Sequence, residues 1–404
     1  MLRHASIAAL SGIALFGLTA CGAGQAQRSD RSGVLSSGSI QALGTSPTQH
    51  SGSAVSASTG GAVEVQGFDG SNVWQLKKSS IDMSSDGGTN WTSVPLPAVT
   101  SISDIAITPS GEVWLTASNG TATGLDLWGK KNARSSWTKV ALSPSWPSLE
   151  ATQPPPRGVI SVGTAPISVL LERGGADVGV SSNLFVQSGS TFVQRPLPSR
   201  SVVFGSGTVI FINSHDAVAQ DDGEDRKIYY SSDGGQTWSG SDINNQRFQE
   251  TEIGTPVADG QNIYLLLALT KAQATPSSLG SSIMALYVST DGGATYHSVD
   301  SSIGVASGPS ALPVIAASGN NIWLAPFNQN LLYESTDGGN TWTRVVPTGF
   351  FANPGSMTLL DSINALSLGA TTSCTAFKQN CVNRPYLLRT TDGGRTWKAI
   401  EGIN

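Results

Sequence analysis

Short stretches of alternating apolar and polar residues recur along most of the chain from residue 61 onward, and turn-forming residues separate them. Alternation with a period of two is typical of β-strands that bury one face. The stretches IYY, LYV, LYE and YLLR each precede the same kind of turn, and stretches such as WTRVV or WKAI follow it. Each pair of stretches therefore predicts a β-hairpin.

One turn sequence is repeated five times. Its Asp can accept hydrogen bonds from N–H groups of its own loop, and its two glycines allow positive φ. The large aromatic ring after each turn suits a position wedged between neighbouring sheets. The five turns span 84–91, 231–238, 289–296, 335–342 and 390–397, so the repeated residues are Asp86, Asp233, Asp291, Asp337 and Asp392, with Trp91, Trp238, Tyr296, Trp342 and Trp397.

The spacing of the aromatic residues predicts seven repeats. At a propeller period of about 50 residues, two degraded copies fit between Trp91 and Trp238, and they end at Trp137 and Phe192. Apolar segments starting at 71, 111, 165, 207, 261, 320 and 362 predict the second strand of each repeat, and the stretches VEVQGF, DIAIT, VISVG, SVVFG, 253–258, PVIAAS and MTLLD predict the first. The sequence therefore predicts an all-β, seven-bladed β-propeller with four antiparallel strands in each blade.

These repeats resemble the Asp-box or BNR-repeat family of sialidase-like β-propellers, whose pattern SxDxGxTW lies on the turn between the third and fourth strands of a blade. The resemblance covers residues 61–402, the predicted propeller domain. It implies a fold rather than an activity, because sialidases, xyloglucan-cleaving glycosidases, sortilin-type receptors and photosystem II assembly factors all share this turn. Among these, the chain is most similar to the non-catalytic, assembly-factor-like or sortilin-like type.

The first sixty residues predict an exported protein on the extracytoplasmic face of the cell membrane. Residues 5–17 are apolar, and the LTAC phrase at 18–21 resembles a bacterial lipobox. Residues 1–20 are then a signal peptide, and Cys21 carries the acyl chains, such as palmitate, that anchor the protein. An ordinary secretory signal with an incidental Cys is the alternative. Residues 21–60 are rich in Gly, Ser, Ala and Thr and predict a flexible tether, although Val34–Leu43 could add an edge strand.

The amino-acid composition limits the kinds of partner that the protein is expected to bind. Charged residues make up 13% of the chain, about half the usual share, and the net charge of −5 with no basic run argues against a nucleic-acid partner. Cys374 and Cys381 lie in one predicted loop without a His nearby, which favours a disulfide over a zinc site. No cofactor and no metal are expected, and we expect a monomer.

Loop lengths predict where a ligand binds. The insertions 143–157, 215–227, 271–282, 348–356 and 371–384 are all expected on the rim opposite the Asp-box turns, where function usually lies. The aromatic residues there could anchor a glycan or a protein, or only seal the loops onto the propeller. The acidic residues of 216–225 could gather Ca²⁺ or form a solvated loop. The candidate binding residues are Trp146, Arg157, Asp216, Phe350, Phe351 and Phe377.

No catalytic residue is predicted. Sialidases hold a carboxylate with three arginines, the first in an RIP phrase of the opening blade, whereas this sequence contains no RIP phrase and no Arg between Arg31 and Arg134. The predicted function is therefore a binding or assembly scaffold for a protein partner or a cell-surface glycan. The alternative is a glycoside hydrolase of sialidase type with an altered site, and a retaining or inverting pair made from other carboxylates stays possible. A substitute arginine cluster could be formed by Arg157, Arg173, Arg200, Arg247 and Arg384, although nothing in the sequence directs them to one point. A receptor or sensor domain of the envelope is a third possibility.

Overall fold

The structure is a computed structural model that describes residues 51–55, 65–69, 72–77, 79–99, 101–108, 110–118, 124–144, 156–162, 166–175, 179–198, 208–220, 227–243, 248–271, 283–299, 312–326, 329–350, 354–376 and 379–400. All of them belong to one compact unit, Leu35–Asn404. Every regular element in these ranges is a β-strand, and none of them contains a helix able to cross a membrane. Cys21 and the predicted signal peptide lie outside the described residues.

The strands form seven blades, each containing four antiparallel strands in consecutive order, which confirms the predicted propeller. Two further strands lie outside this scheme: β1 (Ser51–Val55), which pairs with the first blade, and β18 (Asp242–Ile243), which pairs in parallel with the last strand of the fifth.

Blades 1 to 3 have the following strands: β2 (Val65–Asp69), β3 (Asn72–Leu76), β4 (Ser80–Ser84) and β5 (Thr92–Pro95); β6 (Ser101–Ile107), β7 (Val113–Ser118), β8 (Leu125–Lys130) and β9 (Thr138–Val140); β10 (Arg157–Ser161), β11 (Ser168–Gly175), β12 (Gly179–Ser188) and β13 (Thr191–Arg195). Blade 4 has β14 (Thr208–Phe211), β15 (Ala217–Gln220), β16 (Ile228–Ser231) and β17 (Ser239–Gly240).

In blade 5 the first strand is interrupted, so that two pieces, β19 (Phe248–Ile253) and β20 (Val257–Asp259), both pair with the second strand. The remaining strands are β21 (Asn262–Lys271), β22 (Ile283–Ser289) and β23 (Thr295–Ser298) in blade 5; β24 (Val314–Ser318), β25 (Asn321–Ala325), β26 (Leu332–Ser335) and β27 (Thr343–Val345) in blade 6; β28 (Pro354–Leu359), β29 (Ala365–Ala376), β30 (Gln379–Thr390) and β31 (Lys398–Ala399) in blade 7.

Apolar clusters hold the blades together, one at each of the seven junctions. Two indoles also donate a hydrogen bond to the preceding blade, from Trp137 Nε1 to the Pro95 carbonyl at 2.7 Å and from Trp238 Nε1 to the Pro196 carbonyl at 2.9 Å. The predicted wedge role is therefore confirmed, since each cluster contains one repeat aromatic: Trp137, Phe192, Trp238, Tyr296, Trp342, Trp397 and Trp91 in junction order.

Each Asp-box turn is held by its own Asp and by the hydroxyl two residues before it. In blade 6, Asp337 Oδ1 accepts from Ser335 Oγ and from the Thr341 N–H, both at 2.8 Å, while Oδ2 accepts from Thr341 Oγ1 at 2.6 Å. Ser335 Oγ accepts in turn from the Gly339 N–H at 2.8 Å. The same bonds recur in the other boxes, with an Asn side chain replacing the Thr hydroxyl in blade 1. Hydrogen bonds from Thr341 lower the pKa of Asp337 to about 2.

The second glycine packs against the preceding blade in four of the five boxes, whereas Gly235 of blade 4 faces Phe211 of its own blade. The second glycine has positive φ, and a Cβ at Gly339 would lie 2.7 Å from Leu286 Cδ2 of blade 5. A Cβ at Gly394 would lie 2.8 Å from Leu332 Cδ1 of blade 6. A Cβ at Gly88 or Gly293 would likewise collide with Ile400 or Val218 of the blade before. The turn therefore joins two blades as well as two strands.

The strand assignment predicted for blade 4 is wrong by one strand. The segment at 207 forms the first strand, β14, and the short β15 is the second. Between them Asn213 folds a tight turn, because its Oδ1 accepts from the N–H groups of His215 at 2.7 Å and Asp216 at 2.8 Å. The prediction failed because β14 (TVIF) is more apolar than β15 (AVAQ), although both strands have four residues. The predicted first strand SVVFG lies outside the described residues.

Two segments predicted to be irregular contain strands. Residues 51–55 of the predicted tether form β1, and residues 371–384, predicted as a loop, belong to the β29–β30 hairpin. Both gain regular structure from backbone pairing with a neighbouring strand, which needs no apolar pattern of their own. The hydrophobic pattern of these segments therefore carried no signal.

Paired substitutions of adjacent glycines test the inter-blade contact. Gly338 has a φ of 74°, and nothing lies within 4 Å of the position that a Cβ would take there, so Gly338→Ala should cost only the left-handed strain of about 1–2 kcal/mol. Gly339→Ala should lose about 1–3 kcal/mol more, because the methyl group collides with Leu286. Urea unfolding measures both; equal losses would contradict a role for the second glycine in blade packing.

Candidate functional site

The propeller has two rims with different construction. Backbone hydrogen bonds join the Asp-box turns to the turns between first and second strands, from Gly234 N to His215 O at 2.7 Å, Gly338 N to Asn320 O at 2.9 Å and Gly393 N to Ile363 O at 2.9 Å. We call this end the Asp-box rim. The opposite end, the hairpin rim, carries the connections between second and third strands and the links between blades.

The hairpin rim is extended on alternate blades. The second strand has 8 residues in blade 3, 10 in blade 5 and 12 in blade 7. In the other four blades it has between 4 and 6 residues. Since all second strands start at the Asp-box rim, the longer ones extend further toward the hairpin rim. Three lengthened hairpins therefore lie around this end of the molecule. Such an arrangement is suitable for contacting a ligand from several sides.

A half-buried carboxyl group, that of Glu172, lies at the base of the blade 3 hairpin. Glu172 on β11 is directly opposite Arg157 on β10 and Ser182 on β12. Burial raises the pKa of Glu172 to about 7, and the charge of Arg157 only partly offsets this effect. The adjacent Arg173 is 6% exposed, and its Nε lacks a hydrogen-bond partner. Blade 3 thus places an acid and two guanidinium groups close to the hairpin rim.

Glu172 can exchange a proton near neutral pH. A carboxyl group with a pKa of about 7 can act as a general acid or respond to a charged ligand. Glycoside hydrolysis, however, needs a second carboxyl group facing the first across the bond that is cleaved. Glu172 alone therefore does not form such a site.

The other glutamate with a raised pKa lies elsewhere. Burial raises the pKa of Glu334 on β26 of blade 6. Its Oε1 lies beside the Asp-box glycine Gly394 of blade 7, at the Asp-box rim. Glu172 and Glu334 are therefore on different blades and opposite rims, and they cannot flank one bond.

The predicted binding residues do not all lie at the hairpin rim. Arg157 does lie at the hairpin rim, where β10 begins. Asp216 does not: it ends the turn before β15 on the Asp-box rim and lies beside Gly292 of the next box. The misplaced strands of blade 4 caused this error. Phe350 is also excluded as an exposed anchor, because it is 7% exposed and its ring centroid lies 4.8 Å from that of Trp397.

The interaction of Phe350 with Trp397 matches the interpretation in which aromatic residues seal linkers onto the propeller. The linker before it follows blade 7, since the Thr348 N–H donates to the Arg395 carbonyl at 2.8 Å and the Trp397 N–H donates to the Thr348 carbonyl at 2.9 Å. Trp146, Phe351 and Phe377 lie outside the described residues. Their roles stay predictions.

Cys374 and Cys381 are directly opposite each other on β29 and β30. Directly opposed residues of antiparallel strands have Cα atoms about 4.5–5.5 Å apart, within the range that a disulfide spans. The backbone register is therefore compatible with the predicted bond.

Sequence reasoning missed Glu172, and it considered Arg173 only as one member of a possible substitute arginine cluster. The available signal was a charged pair continuing an apolar strand in the stretch ISVLLERGG, because ionisable residues rarely occupy buried positions unless they have a partner or a function. Within the described ranges, no group of three or more His, Cys, Asp or Glu side chains is placed to hold a metal ion.

The raised pKa of Glu172 predicts a pH-dependent stability. Its carboxyl group titrates near 4.5 when unfolded and near 7 when folded, so the folded state binds the proton more tightly. The contribution of Glu172 to the free energy of unfolding should be fully present below pH 4.5 and should be lost as the pH rises to 7, by about 3 kcal/mol in total. Glu172→Gln should remove this loss in urea titrations at pH 5 and pH 8. Parallel pH profiles for both proteins would contradict the buried-acid assignment.

Comparisons with known proteins agree with the architecture. The BNR/Asp-box repeat model matches residues 229–239, and a search of curated proteins by sequence finds no relative. Solved structures with a similar fold include YCF48 from Cyanidioschyzon merolae, at 14% identity over 87% of this chain and 98% of the other, with a TM-score of 0.43. They also include the β-propeller domain of the Trilobed protease from Pyrococcus furiosus, at 13% identity over 82% and 92%, with a TM-score of 0.48.

A GH74 xyloglucanase from Xanthomonas campestris is similar at 14% identity over 86% of this chain and 55% of the other, with a TM-score of 0.30. Such distant likenesses carry no information on activity. The chain is a seven-bladed β-propeller that contains BNR-type Asp-box repeats.

Proposed function

We propose that the protein is a membrane-tethered, extracytoplasmic propeller that binds a protein partner or a cell-surface glycan at its hairpin rim. One observation carries this proposal: the lengthened hairpins of blades 3, 5 and 7 all stand at the same rim. The seven apolar clusters that hold the blades together lie between the sheets and do not by themselves require three blades to be longer at one end. Extended loops on a rigid scaffold usually form binding surfaces.

The Asp-box rim is an unsuitable binding surface by comparison. The carboxylates of its boxes accept hydrogen bonds from their own turns, and these bonds keep them charged and oriented toward backbone and Thr groups. A ligand that recruited them would have to break the turn. We therefore assign these residues to stability and the opposite rim to recognition.

Anchoring by lipid is the second part of the proposal. The LTAC phrase at 18–21 supports acylation of Cys21, and the polar tether allows the propeller to reach a partner near the membrane surface. We also propose a disulfide between Cys374 and Cys381, supported by their opposed positions and by an oxidising location outside the cytoplasm. It would fix the end of the longest hairpin of the hairpin rim.

Glycoside hydrolysis is a second candidate function, favoured by Glu172 alone. A carboxyl group with a pKa of about 7 fits a general acid, but a partner carboxylate is also required. Fluorogenic sialosides and aryl glycosides incubated with the purified full chain decide the matter. We expect no turnover; turnover that Glu172→Gln abolishes would replace the binding proposal with this one.

The binding proposal predicts unequal effects at the two rims. Replacing the hairpin connections at 176–178, 272–282 or 377–378 with Gly and Ser of equal length should reduce binding to a glycan array or to envelope vesicles by at least tenfold. As a control, Ile363→Ser changes a 51% exposed side chain on the Asp-box rim and should leave binding unchanged. Loss of binding in the control but not in the hairpin variants would contradict the proposal.

The anchor proposal predicts that Cys21→Ala abolishes incorporation of labelled palmitate and moves the protein from the membrane to the soluble or unprocessed fraction. Cys374→Ala is the matched control, because it removes a thiol without touching the lipobox, and it should stay membrane-bound. Labelling that persists in Cys21→Ala would count against lipidation at this residue.

A further inference from the structure

A short N-terminal strand extends blade 1 by one strand on its inner side. β1 pairs with β2 in antiparallel register over its whole length, from Ser51 opposite Asp69 to Val55 opposite Val65. The sheet order is β1-β2-β3-β4-β5, so β1 lies on the edge of β2 that faces away from the rest of the blade. Each of the other blades begins with its own first strand.

This edge lies at the centre of the propeller. The first strands of successive blades contact one another around the ring, as β2 with β6, β6 with β10, β20 with β24 and β24 with β28. Between blades 7 and 1, the neighbour of β28 is β1, which also lies against β29 and β30. β1 therefore occupies the position between the inner strands of the last and first blades.

That position is significant because of how the ring closes. In each of the seven sheets the four blade strands are consecutive in sequence, so no blade combines strands from both ends of the propeller domain. In the described residues, the packing across the 7–1 junction consists mainly of Phe68, Val73 and Trp91 of blade 1 against the apolar side chains of blade 7. β1 adds backbone pairing on one side of this junction and contact on the other.

We propose that the inner edge of β2 is a strand-acceptor site, a site for an extended peptide that pairs in antiparallel register, and that residues 51–55 are its resident ligand. Main-chain hydrogen bonds supply the affinity in this mode of recognition. An open inner edge would otherwise present unpaired N–H and C=O groups. The proposal concerns the axial edge of blade 1 and is independent of ligand binding at the hairpin rim.

The occupant couples the N-terminal segment to the ring. Because only residues 56–64 separate β1 from the first strand of blade 1, the same segment that leaves the propeller also helps to join its first and last blades. A competing extended peptide would release this segment, lengthen the connection to residues 1–50 and remove β1 from the junction.

The test uses the full chain in three forms: unchanged, Gly52→Pro with Ser53→Pro, and Gly52→Ala with Ser53→Ala. Successive residues of a strand direct their N–H groups to opposite sides, so one of the two residues donates to β2. Two adjacent prolines therefore remove this donor whichever of the two residues supplies it. The alanine pair keeps both N–H groups and is the matched control. Hydrogen exchange reports on the β2 amides, and fluorescence anisotropy reports binding of a labelled peptide with the sequence of residues 48–58.

We expect the β2 amides to exchange at least tenfold faster in the proline variant than in the other two forms. The peptide should bind the proline variant saturably and bind the unchanged and alanine forms at least tenfold more weakly. Unchanged exchange of β2, or equal peptide binding by all three forms, would overturn the proposal.

A second measurement tests the proposal even if the proline variant fails to fold. In the unchanged chain, alternate amides of residues 51–55 should exchange at least tenfold more slowly than the same amides in the free peptide. Exchange at the rate of the free peptide would show that the segment does not occupy the edge and would overturn the proposal without any variant.

Discussion

The propeller depends on the space that the second glycine of the Asp box leaves for the preceding blade in four of the five boxes. Asp and Ser or Thr fix the turn through hydrogen bonds, and the bare backbone of Gly339 or Gly394 then admits a Leu side chain from the neighbouring sheet. The aromatic residue that follows fills the same junction. A single phrase thus determines the turn, the gap between blades and the residue that seals it. Repeating this phrase repeats the junction.

The two rims of the propeller differ in construction. The Asp-box rim is composed of tight turns bonded to one another, whereas blades 3, 5 and 7 carry their extra length on the hairpin rim. Glu172 stands at the base of one of these hairpins, where burial raises its pKa to about 7. The protonation of this group can respond to a ligand, whereas a hydrolase would need a second carboxylate facing it.

The sequence predicted the repeats well because their signals are local. Asp, Gly and aromatic residues at fixed positions report turn geometry and junction packing directly, and so the number of blades and the role of Trp397 or Tyr296 could be predicted. Features set by pairing partners could not. β14 and β15 both have four residues, but β15 (AVAQ) has the weaker apolar pattern, and the resulting strand error placed Asp216 on the wrong rim in the prediction. β1 has no apolar pattern of its own. Phe350 packs against Trp397, a residue far from it in the sequence.

The central claim, that the hairpin rim recognises a partner while the Asp-box rim only holds the fold, is tested most directly by a hydrogen-exchange footprint. The protein on intact envelope vesicles is compared with the purified protein. The account predicts added protection at the connections 176–178, 272–282 and 377–378 and none at the Asp-box turns. Protection confined to the turns at 84–91, 231–238 or 335–342 would contradict it.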